Sequence, residues 1–193
     1  IANSSSGLDS SIRNSNCQML NRQEIIELLL CKDPEIINNL YKRAADLKLR
    51  TIGPKVHLRG LIEISNICRK NCLYCGIRKG NTLYERYTLT DDEILMCAEH
   101  AYAAEFGSVV IQGGERTGRQ FTERITSLLQ RIKLIGNGSL GITLSLGEQS
   151  AEVYKEWFEA GAHRYLLRIE TSDPDLFRKI HPEDGHHTYD RRI

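Results

Sequence analysis

Leu61-Ile-Glu-Ile-Ser-Asn-Ile67 runs directly into Cys68-Arg-Lys-Asn-Cys72-Leu-Tyr-Cys75, and the join between these blocks decides how the chain is read. The first block is an apolar run of the length expected for a buried strand. The second places three thiols within eight residues. Soft thiolates suit iron–sulfur clusters, and a loop leaving a strand can aim three closely spaced sulfurs at one compact cube. Three local ligands to a 4Fe–4S cube leave one iron open to a small molecule, which separates a catalytic cluster from a fully ligated electron carrier. The alternatives are a structural zinc site or a disulfide. Zinc needs a fourth ligand, and His57 and His100 are candidates without motif spacing.

Outward from this join, strands and helices alternate. Thr90-Asp91-Asp92-Glu93 is a capping box that opens a helix reaching about Phe106, where Gly107 stops it. Ser108–Gln112 reads as the second strand, ended by Gly113-Gly114, and a helix covers about 121–135. Gly141–Leu146 is a third strand, and Glu152–Ala160 a helix stopped by Gly161. Arg164–Glu170 is a fourth strand, and Ser172 or Asp173 caps a short helix with Pro174 just inside it. This order predicts an α/β fold with a parallel sheet. Four strands fall short of a closed barrel of about 250 residues, and the pattern alone leaves an open doubly wound sheet possible. The chain therefore reads as a fragment of a longer protein.

Ahead of the sheet, residues 22–48 show two apolar clusters with helical spacing, and Asp33-Pro34 marks the start of the second helix. Residues 1–20 are rich in Ser and Asn and read as flexible. The division predicted is 1–20 flexible, 21–54 N-terminal helices and 55–193 the sheet-bearing part.

Composition narrows the function. A net charge of +1 argues against a general nucleic-acid or membrane surface. No apolar run reaches the roughly 18 residues of a membrane span. Clustered cysteines favour metal chemistry in a reducing compartment over a secreted disulfide scaffold. A cytoplasm fits, as does an anaerobic organelle such as a hydrogenosome. Cys17, Cys31 and Cys97 lack motif partners, and Cys31 and Cys97 read as small buried apolar residues.

The strand ends carry further polar groups. Thr143 and Ser145 share one face of strand three, opposite Ile142, Leu144 and Leu146, as in a barrel wall with a polar lumen. On strand four, Arg164, Leu166, Arg168 and Glu170 share a face. Arg168 and Glu170 are close enough to interact, and Glu63 can join them. This is either a salt-bridge network or a polar cavity for an anionic or metal-bound substrate. Arg69, Lys70, Arg78 and Lys79 surround the cysteines, either as a solvated basic loop or to balance an anionic cluster and dock an acidic electron donor.

The cysteine spacing, with Tyr74 before the last Cys, resembles the signature of radical S-adenosylmethionine enzymes. Within them, Cys-Arg-Lys-Asn-Cys-Leu-Tyr-Cys-Gly-Ile-Arg, Thr-Leu-Ser-Leu-Gly-Glu, Arg-Tyr-Leu-Leu-Arg-Ile-Glu-Thr and Pro-Asp-Leu-Phe-Arg-Lys-Ile-His-Pro resemble the HydE-type maturases of FeFe-hydrogenases, over about residues 22–193. Ile169 departs from this pattern, since relatives often carry His there. Biotin synthase and the methylornithine-forming mutase are more distant neighbours.

The resemblance implies a partial TIM-type (β/α) barrel of about four βα units. It implies a 4Fe–4S cluster on Cys68, Cys72 and Cys75 that reductively cleaves S-adenosylmethionine to a 5′-deoxyadenosyl radical. It further implies that Tyr74 lies against the adenine, with ordinary packing as the alternative, and that Gly113, Gly114 and Glu115 hold the methionyl ammonium. Glu170 would contact the ribose and Arg192 the carboxylate, with Ser145 among the cofactor contacts. Arg164 and Arg168 would line the substrate cavity. The implied partners are an organometallic iron substrate, an electron donor such as ferredoxin or flavodoxin, and companion hydrogenase maturases.

Overall fold

The computed structural model describes residues 20–182, 185, 187–190 and 192. The segment read as flexible lies almost wholly outside them, as does Cys17. Two compact units divide at Val56/His57.

The first unit carries α1 (Arg22–Leu30) and α2 (Pro34–Thr51). Asn21 and Glu24 form a reciprocal capping box on α1. Asp33 caps α2 with Pro34 in its first turn, as the Asp-Pro pair predicts. Neither helix contains a buried residue.

The second unit is β1 (Arg59–Ser65), α3 (Asp91–Ala103), β2 (Ser108–Gly113), α4 (Arg119–Leu134), β3 (Gly141–Ser145), α5 (Ala151–Glu159), β4 (Arg164–Tyr165) and α6 (Pro174–Ile180). All four strands are parallel, in the order β1-β2-β3-β4. Doubly wound sheets reverse their strand order at a switch point. A strictly sequential order, with a helix after each strand, is the wall of a (β/α) barrel.

Alternation along the strands sorts the two faces. Ile62, Ile64, Val109, Ile111, Ile142, Leu144 and Leu146 are buried against Ile94 and Ala98 of α3, Ile125, Leu128, Leu129 and Ile132 of α4 and Trp157 of α5. Burying each large aliphatic side chain stabilises the fold by about 1.5–3 kcal/mol. The opposite face bears Glu63, Gln112 and Ser145, which lie side by side in the register.

Strand four is shorter than the pattern predicts. Leu166 N–H still donates to Leu144 O (2.7 Å), but pairing stops there. The Leu146 N–H, which a longer ladder would direct at Leu166 O, is taken by the Tyr165 hydroxyl (3.3 Å). That hydroxyl in turn donates to Gly147 O (2.6 Å). Tyr165 thus ends its own strand, and beyond it Leu166, Arg168 and Glu170 line the strand-end cleft. Among the described residues, no helix is long and apolar enough to cross a membrane.

Candidate active site

Cys68, Cys72 and Cys75 line one cleft at the C-terminal ends of the strands, with Glu63, Gln112 and Ser145 as its floor on the polar face of the sheet and Arg168, Glu170 and Arg192 also in its lining. The five described cysteines are free thiols. Among the described residues no three Cys, His, Asp or Glu side chains are gathered on a single point. The donor set is therefore one of separate sulfurs along a cleft. His57 and His100 are not among the cleft residues. Burial is the leading cause holding the Cys68 and Cys72 thiols above their ordinary range. Metal binding reverses this by displacing the proton.

The loop has almost no apolar core, so hydrogen bonds shape it. Ser65 Oγ donates to Tyr87 O (2.8 Å) and receives Ile67 N–H (3.1 Å), turning the chain out of β1. Asn66 bridges to Glu85 O and Tyr87 N–H, and Asn81 to Gly76 O and Leu83 N–H. The Arg86 guanidinium donates to four carbonyls, of Asn66, Ile77, Arg78 and Asn81, at 2.6–2.9 Å. Its planar five-donor fork is suited to this task.

Gly113-Gly114 ends β2 against this loop. A Cβ on Gly114 would sit 2.7 Å from Cys68 Cβ and closer still to Ile67 O. Only glycine permits that approach. Glu115 N–H then donates to Cys68 Sγ (3.3 Å), and Arg69 N–H donates to Glu115 O (2.9 Å).

Behind the cysteines lies a buried charge network. Lys70 is only 4% exposed, which excludes the solvated reading for this residue. Its Nζ meets Glu148 Oε2 (2.9 Å) and Glu115 Oε1 (3.4 Å). Arg192 Nη2 reaches Glu148 (3.4 Å) and Glu115 (3.8 Å). Glu115 Oε2 also accepts the Glu148 N–H (2.9 Å). The Glu115 carboxylate is thus engaged by cations and an amide. Lys79 is exposed, and Arg78 folds back onto Cys75 O.

On the cleft floor, Gln112 Nε2 donates to Glu63 Oε1 (2.9 Å), and Arg168 donates to Gln112 Oε1. Arg168 therefore reaches Glu63 through an amide, instead of pairing with Glu170 as expected. Glu170 has a left-handed φ of 66°, a conformation costing a non-glycine residue about 1–3 kcal/mol. Arg164, expected in the cavity, is exposed elsewhere. It pairs with Thr143, one pleat before Ser145, and borders an apolar depression with Trp157 and Phe158 at the sheet edge.

Tyr74 stands edge-on to His181. His181 Nδ1 lies 2.9 Å from Phe177 O, so it carries the ring proton, and Nε2 accepts from the Tyr74 hydroxyl (3.3 Å). Burial, first among the causes, lowers the His181 pKa and raises that of Tyr74, keeping both neutral.

In the sequence, Arg86, Glu148 and His181 carry no assigned role, and Lys70 is one of four basic residues around the cysteines. Lys70 meets Glu148 78 residues away and His181 meets Tyr74 107 residues away, while Arg86 binds carbonyls, which carry no residue-specific signal. Glu148 had a signal, lying two residues past a strand end. Cys97, read as buried, is exposed, and Cys31 is half-buried. Cys97 falls off the Ile94–Ala98–Ala101 stripe that α3 buries.

Comparison with known proteins places this geometry. The chain is 42% identical to the [FeFe] hydrogenase maturase subunit HydE of Thermotoga maritima over 164 residues, covering 84% of the chain and 45% of that protein. It is 29% identical to biotin synthase of Staphylococcus aureus over 138 residues, 70% of the chain and 41% of the relative. The chain thus spans less than half the length of these relatives. The crystal structure of methylornithine synthase (PylB) superposes with a TM-score of 0.78 at 26% identity, over 96% of this chain and 52% of that one. The [FeFe]-hydrogenase maturase HydG superposes with the same score at 24% identity, over 96% and 40%. Residues 62–193 match the family model of the radical SAM superfamily, and with the cysteine loop at the end of the first barrel strand, the chain belongs to that superfamily.

Proposed function

We propose that this chain forms the cluster-binding half of a radical SAM enzyme acting in maturation of the FeFe-hydrogenase diiron centre. The observation that carries the reading is that three free thiols on a hydrogen-bonded loop share one cleft with Glu170, Arg168 and Arg192. Identity to HydE supports the choice within the superfamily. The donor set fits a 4Fe–4S cluster on Cys68, Cys72 and Cys75. When bound, the cluster supplies the electron that cleaves S-adenosylmethionine to a 5′-deoxyadenosyl radical.

The chain's own residues bind and orient. Gly113 and Gly114 bring backbone to within contact of the loop, and we assign the methionyl ammonium to that backbone. Glu115, already engaged, holds Lys70 and the Glu148 amide. Arg192 binds the carboxylate, Glu170 the ribose, Tyr74 the adenine, and Ser145 a neighbouring face of the nucleoside. Arg168, fixed through Gln112, faces an organometallic iron substrate. Arg164 stands apart from the cleft, and no contact with the cofactor or substrate is assigned to it. An acidic carrier such as ferredoxin or flavodoxin delivers the electron, and companion maturases supply and receive the substrate.

The test is anaerobic reconstitution of the full-length protein. Reduced enzyme given S-adenosylmethionine should change its cluster electron-spin spectrum and release 5′-deoxyadenosine. Alanine at Cys68, Cys72 or Cys75 should abolish both, and Cys97→Ala neither. An unchanged spectrum with S-adenosylmethionine, or cluster loss in Cys97→Ala, would overturn the assignment.

A further inference from the structure

The last residue of α6 and the segment following it touch the cysteine loop at three points. Leu73 N–H, one residue after Cys72, donates to Ile180 O (2.9 Å). The Tyr74 hydroxyl donates to His181 Nε2 (3.3 Å). His187 Nε2 lies 3.3 Å from Cys72 Sγ. Behind that contact the rings form a continuous pile: His181 stacks on Phe177 at 4.0 Å, and His187 lies 5.1 Å from His181, tilted by 34°. The backbone bond at Leu73 sets the distance between the two segments, and the pile limits how His187 can move.

We propose that His187 donates an Nε2–H hydrogen bond to the Cys72 thiolate and thereby raises the reduction potential of the cluster that Cys72 ligates; this rests on the ligand assignment above. The direction of the bond follows from chemistry. A free thiol can donate to an imidazole, but a cysteine sulfur bound to iron has no proton and only accepts. The proton in the gap must then belong to Nε2. Hydrogen bonds to ligand sulfurs are one of the ways a protein sets cluster potential. They draw electron density from sulfur and so favour the reduced, more negative cluster. Cys68 Sγ receives its bond from a backbone amide, Glu115 N–H. Side-chain exchange leaves such a backbone donor in place, whereas Cys72 is met by side chains, those of His187 and Tyr74, so the His187 contribution can be removed by itself.

The experiment uses the reconstituted full-length enzyme with His187→Leu, which has no donor, and His187→Gln, whose amide can place an N–H near the Nε2 position. Iron and sulfide content and the midpoint potential from a mediated electron-spin titration are measured for each. The potential should fall in the Leu variant and stay near wild type in the Gln variant, with full clusters in both. A fully loaded Leu variant with the wild-type potential would overturn the proposal. So would equal falls in both variants, which would mark a packing effect.

Should the Leu variant lose its cluster, wild type and His187→Gln labelled with 15N-histidine decide the matter. A weak nitrogen coupling to the reduced cluster, lost in the Gln variant, supports the bond. No coupling overturns it, and so does a strong one, since His187 would then be an iron ligand. Failure of the ligand assignment itself is distinguishable, because wild type would then not assemble a cluster dependent on Cys68, Cys72 and Cys75.

Discussion

The barrel wall and the cysteine loop meet at Ser65, yet different forces hold them. Val109, Ile111, Ile142 and Leu144 have no exposed surface at all, and their stabilisation is spread over many non-directional contacts. Between Asn66 and Tyr87 the buried residues are Lys70 and Asn81, both polar. Here stability is concentrated in a few directed bonds, four of them from Arg86. Damage should therefore surface in different measurements. Wall substitutions should lower global stability at constant cluster content per folded chain. Loop substitutions should lower cluster content more than stability.

The largest effect is expected from Leu144→Ala on β3. Truncating a fully buried leucine costs about 2–5 kcal/mol, depending on how far the cavity collapses. The denaturation midpoint should drop accordingly, while iron per folded chain stays unchanged. Lys70→Met comes next. It leaves the half-buried Glu148 carboxylate with Arg192 as its nearest remaining cation. Breaking a buried pair costs about 3–5 kcal/mol when nothing compensates, and Arg192 should reduce that to about 2 kcal/mol. Adding Glu148→Gln should restore part of the loss. If the double variant is no more stable than Lys70→Met alone, the two side chains are not coupled.

Arg86→Lys should cost less in stability but more in function. An ammonium has three donors and no planar fork, so at least one carbonyl loses its partner, at about 1 kcal/mol for each lost bond. Reconstituted iron content should fall clearly while the melting temperature moves by only a few degrees. If content and melting temperature fall in proportion, as for Leu144→Ala, the separation of the two regions is wrong.

The same contrast explains what was legible in the sequence. Ile142, Leu144 and Leu146 announced the buried face of β3 because period-two alternation is a local signal, and Thr90 with Glu93 announced the start of α3 because a capping box spans four residues. Lys70 sat within a run of basic residues and looked solvated, since its partner Glu148 lies 78 residues away. The shortening of strand four was equally hidden. It depends on the Tyr165 hydroxyl reaching back to the Leu146 amide, a bond made only once the strands are paired. The position of Arg164 is not legible for a related reason: alternation gives its face but not its height along the cleft.

The smallest effect is expected at the α3 cap, and it tests the contrast from the wall side. Thr90 Oγ1 accepts Glu93 N–H, and Glu93 accepts both the Thr90 N–H (2.7 Å) and the Thr90 hydroxyl (2.8 Å). Losing a threonine cap typically costs about 1 kcal/mol, which in a chain of this size is a shift of about 2–4 °C in melting temperature. The Thr90 amide, first among the causes, and the hydroxyl hold the Glu93 carboxyl below its ordinary range. Its folded pKa is therefore lower than its unfolded one. The associated stabilisation is complete above the unfolded value and is lost as pH falls through the folded value. Thr90→Ala should thus melt lower than wild type at neutral pH, with the gap narrowing in acid. Because α3 packs on the sheet through Ile94 and Ala98, cluster content should not change. A variant that lost iron along with its cap would show that the wall transmits strain to the loop through β1, and the two regions would have to be treated as one.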